Sequence, residues 1–499
     1  MTPVKQKPAA RFDKVNIPSD TFRELGHALV DQIASLFERL PTAPVTAATN
    51  DEKIREMLQA LNPASDNGQD AGPLLEKTTR LLFDHSLFNG HPKFWGYITS
   101  SPTPIGVLAD MLAAAVNPNV GAYVLSPVAT EIEKQTIDWI GRFMGYPAGG
   151  GLLVSGGNMA NYVGFLAALR AATGTEAREK GLRNIDANLV VYCSSETHTW
   201  VQKAADLYGL GTDNIRWIGT DAKKRMNPVL LEEEIQADKT AGNQPFLVIG
   251  TAGSVGVGAV DPLDDLAALC EKYGLWFHID GAYGGFASAL PELKAQFAGL
   301  EKADSLAVDP HKWLYAPLEA GCALVKNPRH LTDTFSYHPT YFNFEHTRLN
   351  FIDYGPQNSR GFRALKVWLS AQHLGMEGHR QLIREDIALA RYASDVLRAE
   401  PDFEVFSTEL SISAFRYVPP ALNAKIGEPE TEAYLNQLNQ AILNQMEASG
   451  AFFMSNAVLD GKFVLRMCIV NFRTHAADIE AIPAYVRELG ALIHKQKSQ

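Results

Sequence analysis

The sequence predicts an α/β protein with a mostly parallel sheet that is covered by helices on both faces. Short apolar runs alternate with longer segments in which apolar residues recur every three or four positions. The short runs are apolar throughout, as in strands buried on both faces of a sheet. Polar or glycine residues follow them directly, where open α/β sheets place their ligands. The predicted strands are 151–154, 188–193, 246–250, 275–279 and 306–308.

Helical periodicity dominates the chain before this sheet and returns after it. The predicted helices on the N-terminal side are 22–40, 52–61, 74–83, 108–116 and 130–143. Helices 362–374 and 381–397 follow the sheet, and strands 411–417 and 463–470 then alternate with helices 431–446 and 476–494. We therefore expect an N-terminal helical arm (1–102), a large α/β domain (103–378) and a small α+β C-terminal domain (379–499).

Composition excludes several classes of function. The chain has 499 residues, of which 46% are hydrophobic and 20% charged, and a net charge of −11. An acidic chain without a basic stripe is not typical of a nucleic-acid-binding protein. No apolar run approaches the ~20 residues that span a bilayer, and no apolar core follows the basic N-terminus, so we expect neither a membrane anchor nor a secretory signal.

The cysteines indicate a reducing compartment and no metal site. They lie far apart in the sequence, without the short spacings of metal ligands. The four residues are Cys193, Cys270, Cys322 and Cys468. In a chain of this length we interpret them as reduced core residues of a cytoplasmic protein.

Two strand ends hold the residues on which the functional prediction depends. The run 275–279 ends in Asp280, and the run 306–308 leads into Asp-Pro-His-Lys-Trp, which places Lys312 beside a strand end and a Trp. Partial desolvation there lowers the pKa of a lysine and leaves an amine able to attack a carbonyl. An ordinary surface lysine and a helix-capping Asp are the alternative. An acid and a lysine so placed are what pyridoxal 5'-phosphate (PLP) needs, the lysine holding its aldehyde as a Schiff base and the acid protonating its ring nitrogen.

The stretches HIDGAYGG (278–285) and DSLAVDPHKW (304–313) closely resemble the PLP-dependent group II decarboxylases, which include the aromatic-L-amino-acid, histidine and glutamate decarboxylases. The resemblance extends from about residue 19 to near the C-terminus. It implies a fold-type I PLP-dependent transferase-like architecture with a seven-stranded sheet, PLP as cofactor and an amino acid as substrate. It also implies a homodimer in which the N-terminal arm packs on the partner subunit.

A phosphate site is predicted where Gly156, Gly157 and Asn158 open a helix directly after the run 151–154. Free N–H groups and the positive end of the helix dipole favour an anion there, although a plain tight turn would have the same sequence. His311 resembles a family residue that contacts the phosphate. The motif residues Ala282 and Asp309 are likewise expected at the cofactor.

Two further strand ends point toward the same cofactor. His198 follows the run 188–193 and resembles the family histidine that stacks on the ring, where an imidazole could move a proton. Thr251 and Ser254 follow the run 246–250 as possible polar contacts. The glycine spacing of residues 253–258 does not fit a dinucleotide-binding loop.

The substrate pocket is predicted from aromatic residues and one arginine. Trp95, Tyr97 and Tyr123 favour an aromatic substrate, with ordinary core positions as the alternative for the first two. Arg466 matches a family arginine near the substrate, and a surface charge on a strand is its alternative. A glutamate pocket needs a dedicated cation, and Arg466 alone does not decide this point.

The proton donor is the point at which the sequence departs from the resemblance. The family supplies a tyrosine from a long loop before residues 362–366, and counting back without gaps places Phe351 at its position. Either Tyr354 or Tyr341 then takes the role through a shifted loop, or the donor is absent. In the second case related enzymes carry out oxidative deamination and release an aldehyde.

These observations together predict decarboxylation of an aromatic L-amino acid to the amine and CO₂, with Lys312, His198, Asp280 and Tyr354 as catalytic residues. Aldehyde formation and action on glutamate or another acidic amino acid remain open. A nicotinamide oxidoreductase and a non-catalytic cofactor-binding protein are alternatives from other classes.

Overall fold

The computed structural model describes residues 15–47, 50–61, 66–337 and 348–497. Three α-helices in these residues precede the large α/β domain, and each corresponds to a helix predicted from periodicity. They are α1 (Ser19–Arg39), α2 (Asp51–Gln59) and α3 (Ala71–His85). Most of α1 is exposed in a single chain, and Leu36 is its buried residue. In the described part of the chain, no helix combines the length and apolar character needed to cross a bilayer.

The large α/β domain begins with α4 (Pro104–Val116) and α5 (Pro127–Met144). Its strands are β1 (Gly150–Val154), β2 (Leu189–Ser194), β3 (Ile215–Ile218), β4 (Gln244–Thr251), β5 (Trp276–Asp280), β6 (Ser305–Val308) and β7 (Gly321–Val325). The helices between and after them are α6 (Gly157–Thr173), α7 (Glu176–Lys180), α8 (Trp200–Leu207), α9 (Pro228–Thr240), α10 (Leu263–Tyr273) and α11 (Arg329–Phe335).

These strands form one seven-stranded sheet in the order β1-β7-β6-β5-β4-β2-β3. All neighbouring pairs from β3 to β6 are parallel, whereas β7 runs antiparallel to both β1 and β6. The central strands β2, β5 and β6 are buried along their whole length, as their uniformly apolar sequences predict. The predicted mostly parallel sheet is confirmed, and β3 and β7 are the two strands that the apolar runs did not predict.

The remaining chain forms a second, smaller sheet with helices. Its elements are α12 (Ala364–Arg398), β8 (Phe403–Glu409), β9 (Ile412–Tyr417), α13 (Pro429–Ser449), β10 (Ser455–Leu459), β11 (Lys462–Cys468), α14 (Ala476–Glu480) and α15 (Ile482–Lys497). The strands pair antiparallel in the order β10-β11-β9-β8. Gly375 interrupts α12 with φ 65° and ψ 176°, which explains why two helices were predicted there.

Residues from the N-terminal arm attach to this small sheet domain. Val45 N donates to Gly450 O at 2.8 Å, and Thr46 Oγ1 donates to Glu447 O at 2.7 Å, both at the end of α13. Phe94 stacks on Phe453 with ring centroids 4.9 Å apart. The chain therefore passes over the C-terminal domain before it enters the large domain.

A buried ion pair joins β1 to the chain on either side of it. Glu133 on α5 and Arg360 before α12 are both almost fully inaccessible and hydrogen-bonded to each other. Glu133 also accepts from Leu153 N at 2.8 Å, and Arg360 donates to Leu153 O at 2.7 Å and Val120 O at 2.9 Å. Both backbone groups of Leu153 are thus held by one ion pair, which fixes the strand just before its functional end.

Replacing Arg360 with Met is expected to destabilise the fold by about 3–5 kcal/mol, because it leaves the Glu133 carboxylate buried and unpaired. The matched control is Arg80→Met, which removes an exposed i,i+4 pair with Glu76 and is expected to cost about 0–1 kcal/mol. Urea unfolding followed by circular dichroism measures both. Equal unfolding midpoints for the two variants would contradict the role of the buried pair.

Candidate active site

The carboxyl ends of five parallel strands bring the predicted site residues to one edge of the large sheet. Thr251, the last residue of β4, lies opposite Asp280, the last residue of β5. Asp280 in turn lies opposite Ala307 on β6, two residues before Asp309. The end of β2 leads to His198, and the end of β1 leads to the glycine pair. The predicted convergence at this edge is therefore present.

Lys312 lies in the turn after β6, paired with Asp309. Its Nζ atom is 2.8 Å from Asp309 Oδ2, and the side chains of the two residues are 17% and 2% exposed. The other carboxylate oxygen, Oδ1, is buried without a hydrogen-bond partner. The turn therefore presents a nearly buried amine beside a carboxylate that has capacity for one more donor.

The turn that carries Lys312 is held from the side by Asp386 of α12. Trp313 Nε1 donates to Asp386 Oδ2 at 2.9 Å, and the Tyr315 hydroxyl donates to the same oxygen. Burial raises the pKa of the Asp386 carboxyl to about 7. The Trp313 ring also stacks on Tyr283, with centroids 4.9 Å apart. Tyr283 lies in the turn after Asp280, so the stack ties the lysine turn to the acid turn.

Asp280 is buried at the end of β5 with two hydrogen bonds that orient its carboxylate. Trp200 Nε1 donates to Oδ2 at 2.8 Å, and Ala282 N donates to Oδ1 at 3.1 Å. Each oxygen retains a free lone pair, so the carboxylate can still accept from a protonated ring nitrogen. Trp200 was not predicted from the sequence, where the sole signal was its place two residues after His198.

His198 lies close enough to Asp280 and Lys312 for both charges to affect the pKa of its imidazole. Desolvation lowers the pKa of its imidazole, Asp280 raises it, and Lys312 lowers it again. The net pKa is below the usual value, so the ring is neutral at pH 7. Its Nδ1 accepts from Trp200 N at 3.3 Å, which places the single ring proton on Nε2. The ring itself is exposed, as suits a residue that stacks on a cofactor.

The glycine pair before α6 forms a cradle that has no room for side chains. Gly156 has φ +130°, and α6 begins without a side-chain cap. A Cβ atom at Gly157 would lie 2.7 Å from Asp309 Oδ2 and 3.1 Å from the Ala282 Cβ. The first residue of α6 therefore packs directly against the motif residues Asp309 and Ala282. Asn158 is half-buried in the first turn of this helix.

His311 closes this cradle on the side of the lysine turn. Its Nδ1 lies 2.7 Å from Ala320 O, and a Cβ at Gly156 would lie 3.4 Å from its Cε1. Burial lowers the pKa of its imidazole, which Asp309 partly opposes. Ser100 Oγ donates to His311 O at 2.7 Å and fixes the backbone there. Ser254, by contrast, accepts from Ala259 N and holds its own turn together.

The predicted substrate residues form a looser group. Arg466 is buried, and it donates from Nη1 to Tyr97 O at 2.9 Å and from Nε to Gly256 O at 3.2 Å, while Nη2 has no partner. Tyr97 is exposed and adopts a φ of 52°. Tyr123 is half-buried with the Arg348 guanidinium 5.2 Å from its ring centroid. Arg466 thus joins residue 97 to the loop that follows β4.

Trp95 does not lie in the substrate pocket that was predicted for it. Its ring is completely buried in the core of the C-terminal domain, where it contacts Phe452, and its Nε1 donates to Thr474 Oγ1 at 3.1 Å. Trp95 is therefore a core aromatic residue, which was the alternative interpretation of the sequence. The aromatic stretch from residue 91 fills a core at Trp95 and reaches the surface at Tyr97.

Tyr354, the predicted proton donor, does not lie beside the glycine cradle of its own chain. A Cβ at Gly150 would lie 3.5 Å from its ring, so the ring is at the amino end of β1. The glycine cradle is at the other end, about 13 Å away at ~3.3 Å per residue. Phe351 is buried, with the Arg360 guanidinium 4.7 Å from its ring centroid. Tyr341, the other candidate, lies outside the described residues.

Comparison with known proteins decides the family. Residues 55–418 match the family model "Pyridoxal-dependent decarboxylase conserved domain". The chain belongs to the pyridoxal-dependent decarboxylase family. It is 34% identical to an aromatic-L-amino-acid decarboxylase of Bacillus atrophaeus, over 96% of this chain and 97% of that protein. It is 30% identical to a phenylacetaldehyde synthase of Petunia hybrida, over 90% of each chain.

A solved structure confirms the fold of this pyridoxal-dependent decarboxylase. The crystal structure of Oryza sativa TDC with PLP and tryptamine superposes with a TM-score of 0.88 at 25% identity, covering 96% of this chain and 99% of that one. The predicted fold-type I architecture and the PLP cofactor are thereby confirmed. The site fits PLP, because an anion cradle, an amine and a carboxylate meet at one sheet edge.

Replacing Lys312 with Ala should abolish covalent attachment of PLP and lower decarboxylation on the order of a thousandfold or more. Borohydride reduction followed by peptide mass spectrometry should label Lys312 in the wild-type protein and no residue of the variant. Lys326→Ala, which removes an exposed lysine after β7, is the matched control and should behave as the wild type. Labelling of another lysine in the wild-type protein would contradict the assignment.

Proposed function

We propose that this decarboxylase converts an aromatic L-amino acid to the corresponding amine and CO₂. The observation that supports this most directly is the placement of Asp280 and Lys312 at neighbouring strand ends. His198 lies close enough for both of their charges to affect its pKa. The relatives named for aromatic-L-amino-acid and tyrosine decarboxylation cover nearly the whole chain at 31–34% identity. A common fold, a common motif and full coverage make the same reaction class the simplest assignment.

In the proposed site, Lys312 holds the cofactor aldehyde covalently and Asp280 faces the ring nitrogen. His198 lies against the ring, and Gly156, Gly157 and Asn158 donate N–H groups to the phosphate. The residues that line the rest of the cofactor are Thr251, Ala282, Asp309 and His311. Lys312 is paired with Asp309, a contact that would keep the amine close to the cofactor.

When bound, PLP supplies an electron sink for the bond between Cα and the carboxylate. The contribution of Asp280 is to keep the ring nitrogen protonated, which a buried, doubly hydrogen-bonded carboxylate can do. His198 is neutral and has its proton on Nε2, the atom that we propose moves a proton at Cα. The two side chains therefore have separate tasks, one at the ring nitrogen and one at the ring face.

The proposed substrate contacts are Tyr97, Tyr123 and Arg466, without Trp95. The Nη2 atom of Arg466 is buried and unpartnered, so this guanidinium can still donate one hydrogen bond. Arg466 Nη1 donates to Tyr97 O, and Tyr123 is the second aromatic ring of the proposed pocket. We propose an aromatic side chain rather than an acidic one on this composition and on the names of the relatives.

Assay of a panel of amino acids should yield CO₂ and amine from tyrosine, tryptophan or dopa, and at least ~100-fold less from glutamate. The one cation proposed at the pocket, Arg466, already donates to Tyr97 O and Gly256 O and can offer an acidic side chain only one further nitrogen. Coupled CO₂ release and amine chromatography measure both products. Amine from glutamate alone would overturn the proposed substrate class while leaving the cofactor chemistry intact.

A second product is favoured by a specific observation. Phe351 is buried at the position where the count from residue 362 places the family tyrosine, and two relatives, from Petunia hybrida and Arabidopsis thaliana, are named phenylacetaldehyde synthase. That reaction takes the amino acid with O₂ and water to aldehyde, CO₂, ammonia and hydrogen peroxide. Measuring peroxide and aldehyde in the same panel distinguishes the two products, and we propose the amine as the main one.

We also propose a homodimer, supported by an exposed apolar face. On α4 this face repeats at helical spacing through Leu108, Met111, Leu112 and Val116, each 49–65% exposed. Val128 at the start of α5 continues it and is 73% exposed. An apolar surface of this kind is typical of a protein interface. The mostly exposed α1 is proposed to pack on the same partner.

The double variant Met111→Glu, Leu112→Glu is expected to convert the dimer to monomer, because it places two charges at the centre of an apolar interface. Sedimentation velocity at micromolar concentration measures the change. Val229→Glu, at an exposed apolar residue of α9, is the matched control and should stay dimeric. A wild-type protein that sediments as a monomer would exclude the proposed dimer.

A cytoplasmic location is the remaining part of the proposal. All four cysteines are buried and free of disulfides. Burial raises the pKa of each thiol, so the thiols are protonated and unreactive at neutral pH. Unpaired core cysteines of this kind are typical of proteins in a reducing compartment.

A further inference from the structure

Trp200 connects the two residues that face the cofactor ring. Its indole Nε1 donates to Asp280 Oδ2 at 2.8 Å, and its backbone N donates to His198 Nδ1 at 3.3 Å. The side chain is completely buried at the start of α8. One residue therefore orients the carboxylate at the ring nitrogen through its side chain and the imidazole at the ring face through its backbone.

The indole N–H bond is of a kind that affects the chemistry of Asp280. An indole nitrogen is a donor without an acceptor function, so its proton always points to the carboxylate. A buried hydrogen bond to an ionised group is shorter and stronger than a neutral one. The bond therefore holds Oδ2 in one direction, so that the carboxylate presents its remaining lone pairs to the ring nitrogen in a fixed orientation.

The neighbouring histidine does not compete for Asp280. His278 lies two residues earlier on β5 and meets the Trp200 ring edge-on, with centroids 5.7 Å apart. Its Nδ1 lies 2.8 Å from Ser305 Oγ and its Nε2 lies 2.8 Å from Asn161 Oδ1. Burial lowers the pKa of His278 to about 4, so it stays neutral. Its ring packs against the indole and supplies neither a charge nor a hydrogen bond to the carboxylate.

We propose that Trp200 is a positioning residue that fixes the orientation of the Asp280 carboxylate, and through it the hydrogen bond that Asp280 makes to the cofactor ring nitrogen. This inference rests on the proposed role of Asp280. It adds a residue whose side chain is completely buried and which acts on the carboxylate through a single N–H group. The effect is therefore separable from packing by a change that removes the N–H and keeps the aromatic bulk.

The test compares Trp200→Phe with Trp276→Phe. Trp276 is a buried indole on the same strand as Asp280, and it donates to Ser305 Oγ at 2.8 Å, away from the carboxylate. Both changes remove one buried indole N–H, and Trp200→Phe should lower the thermal stability of the apoenzyme more than Trp276→Phe, because its partner is a carboxylate and that of Trp276 is a hydroxyl. Trp200→Phe alone should weaken PLP binding to the apoenzyme roughly tenfold, about 1.4 kcal/mol.

Two further readouts are specific to the ring nitrogen. Trp200→Phe should shift the pH dependence of the cofactor absorbance and lower kcat several-fold more than it changes KM. With 1-deazapyridoxal 5'-phosphate, which has carbon in place of the ring nitrogen, the affinity difference between wild type and Trp200→Phe should disappear. Trp276→Phe should match the wild type with both cofactors.

Equal PLP affinity and equal absorbance titration for wild type and Trp200→Phe would overturn the inference. A penalty that persists with the deaza analogue would overturn it as well, since the effect would then be structural. If Trp200→Phe does not fold, 3-benzothienylalanine at position 200 removes the N–H with the shape retained, and the same outcomes apply. A wild-type protein that binds no PLP would refute the proposed function instead, so the two failures are distinguishable.

Discussion

The site depends on a fixed separation between two turns, one that carries Lys312 and one that carries Asp280. Each turn follows a parallel strand, so the sheet sets their spacing at the base. Above the sheet, the stack of Trp313 on Tyr283 holds the two turns together. A cofactor gripped at both ends requires this rigidity, because small displacements of either group would misplace it.

The C-terminal domain completes this arrangement from outside the sheet. Asp386 on α12 receives the Trp313 and Tyr315 donors, and Ser411 before β9 bonds to the Tyr283 hydroxyl at 2.7 Å. Asn471, after β11, donates from Nδ2 to His91 O at 2.6 Å and so fixes the N-terminal segment to the same domain. The small domain therefore works as a support for the two turns as well as a carrier of Arg466.

The sequence predicted the sheet edge well because buried strands and the residues after them are local features. Asp280 and Lys312 could be found from short apolar runs and one motif. Trp200 could not be found in this way, because the contact that makes it relevant is a hydrogen bond to a residue 80 positions away in the sequence. Trp95 was misjudged for the opposite reason: a local aromatic pattern does not reveal whether a ring enters a core or a pocket. The four-residue strand β3, partly exposed at the sheet edge, lacked the apolar run that identified the others.

The absence of a side chain at Gly157 has a mechanical consequence. Even one added methyl group would meet Asp309, the carboxylate that holds Lys312, at 2.7 Å. The start of α6, which is the proposed phosphate site, thus rests directly against the carboxylate that is paired with Lys312. A substitution of Gly157 would therefore affect the position of the Lys312 amine as well as the proposed phosphate site. Alanine at position 157 would disturb both at once.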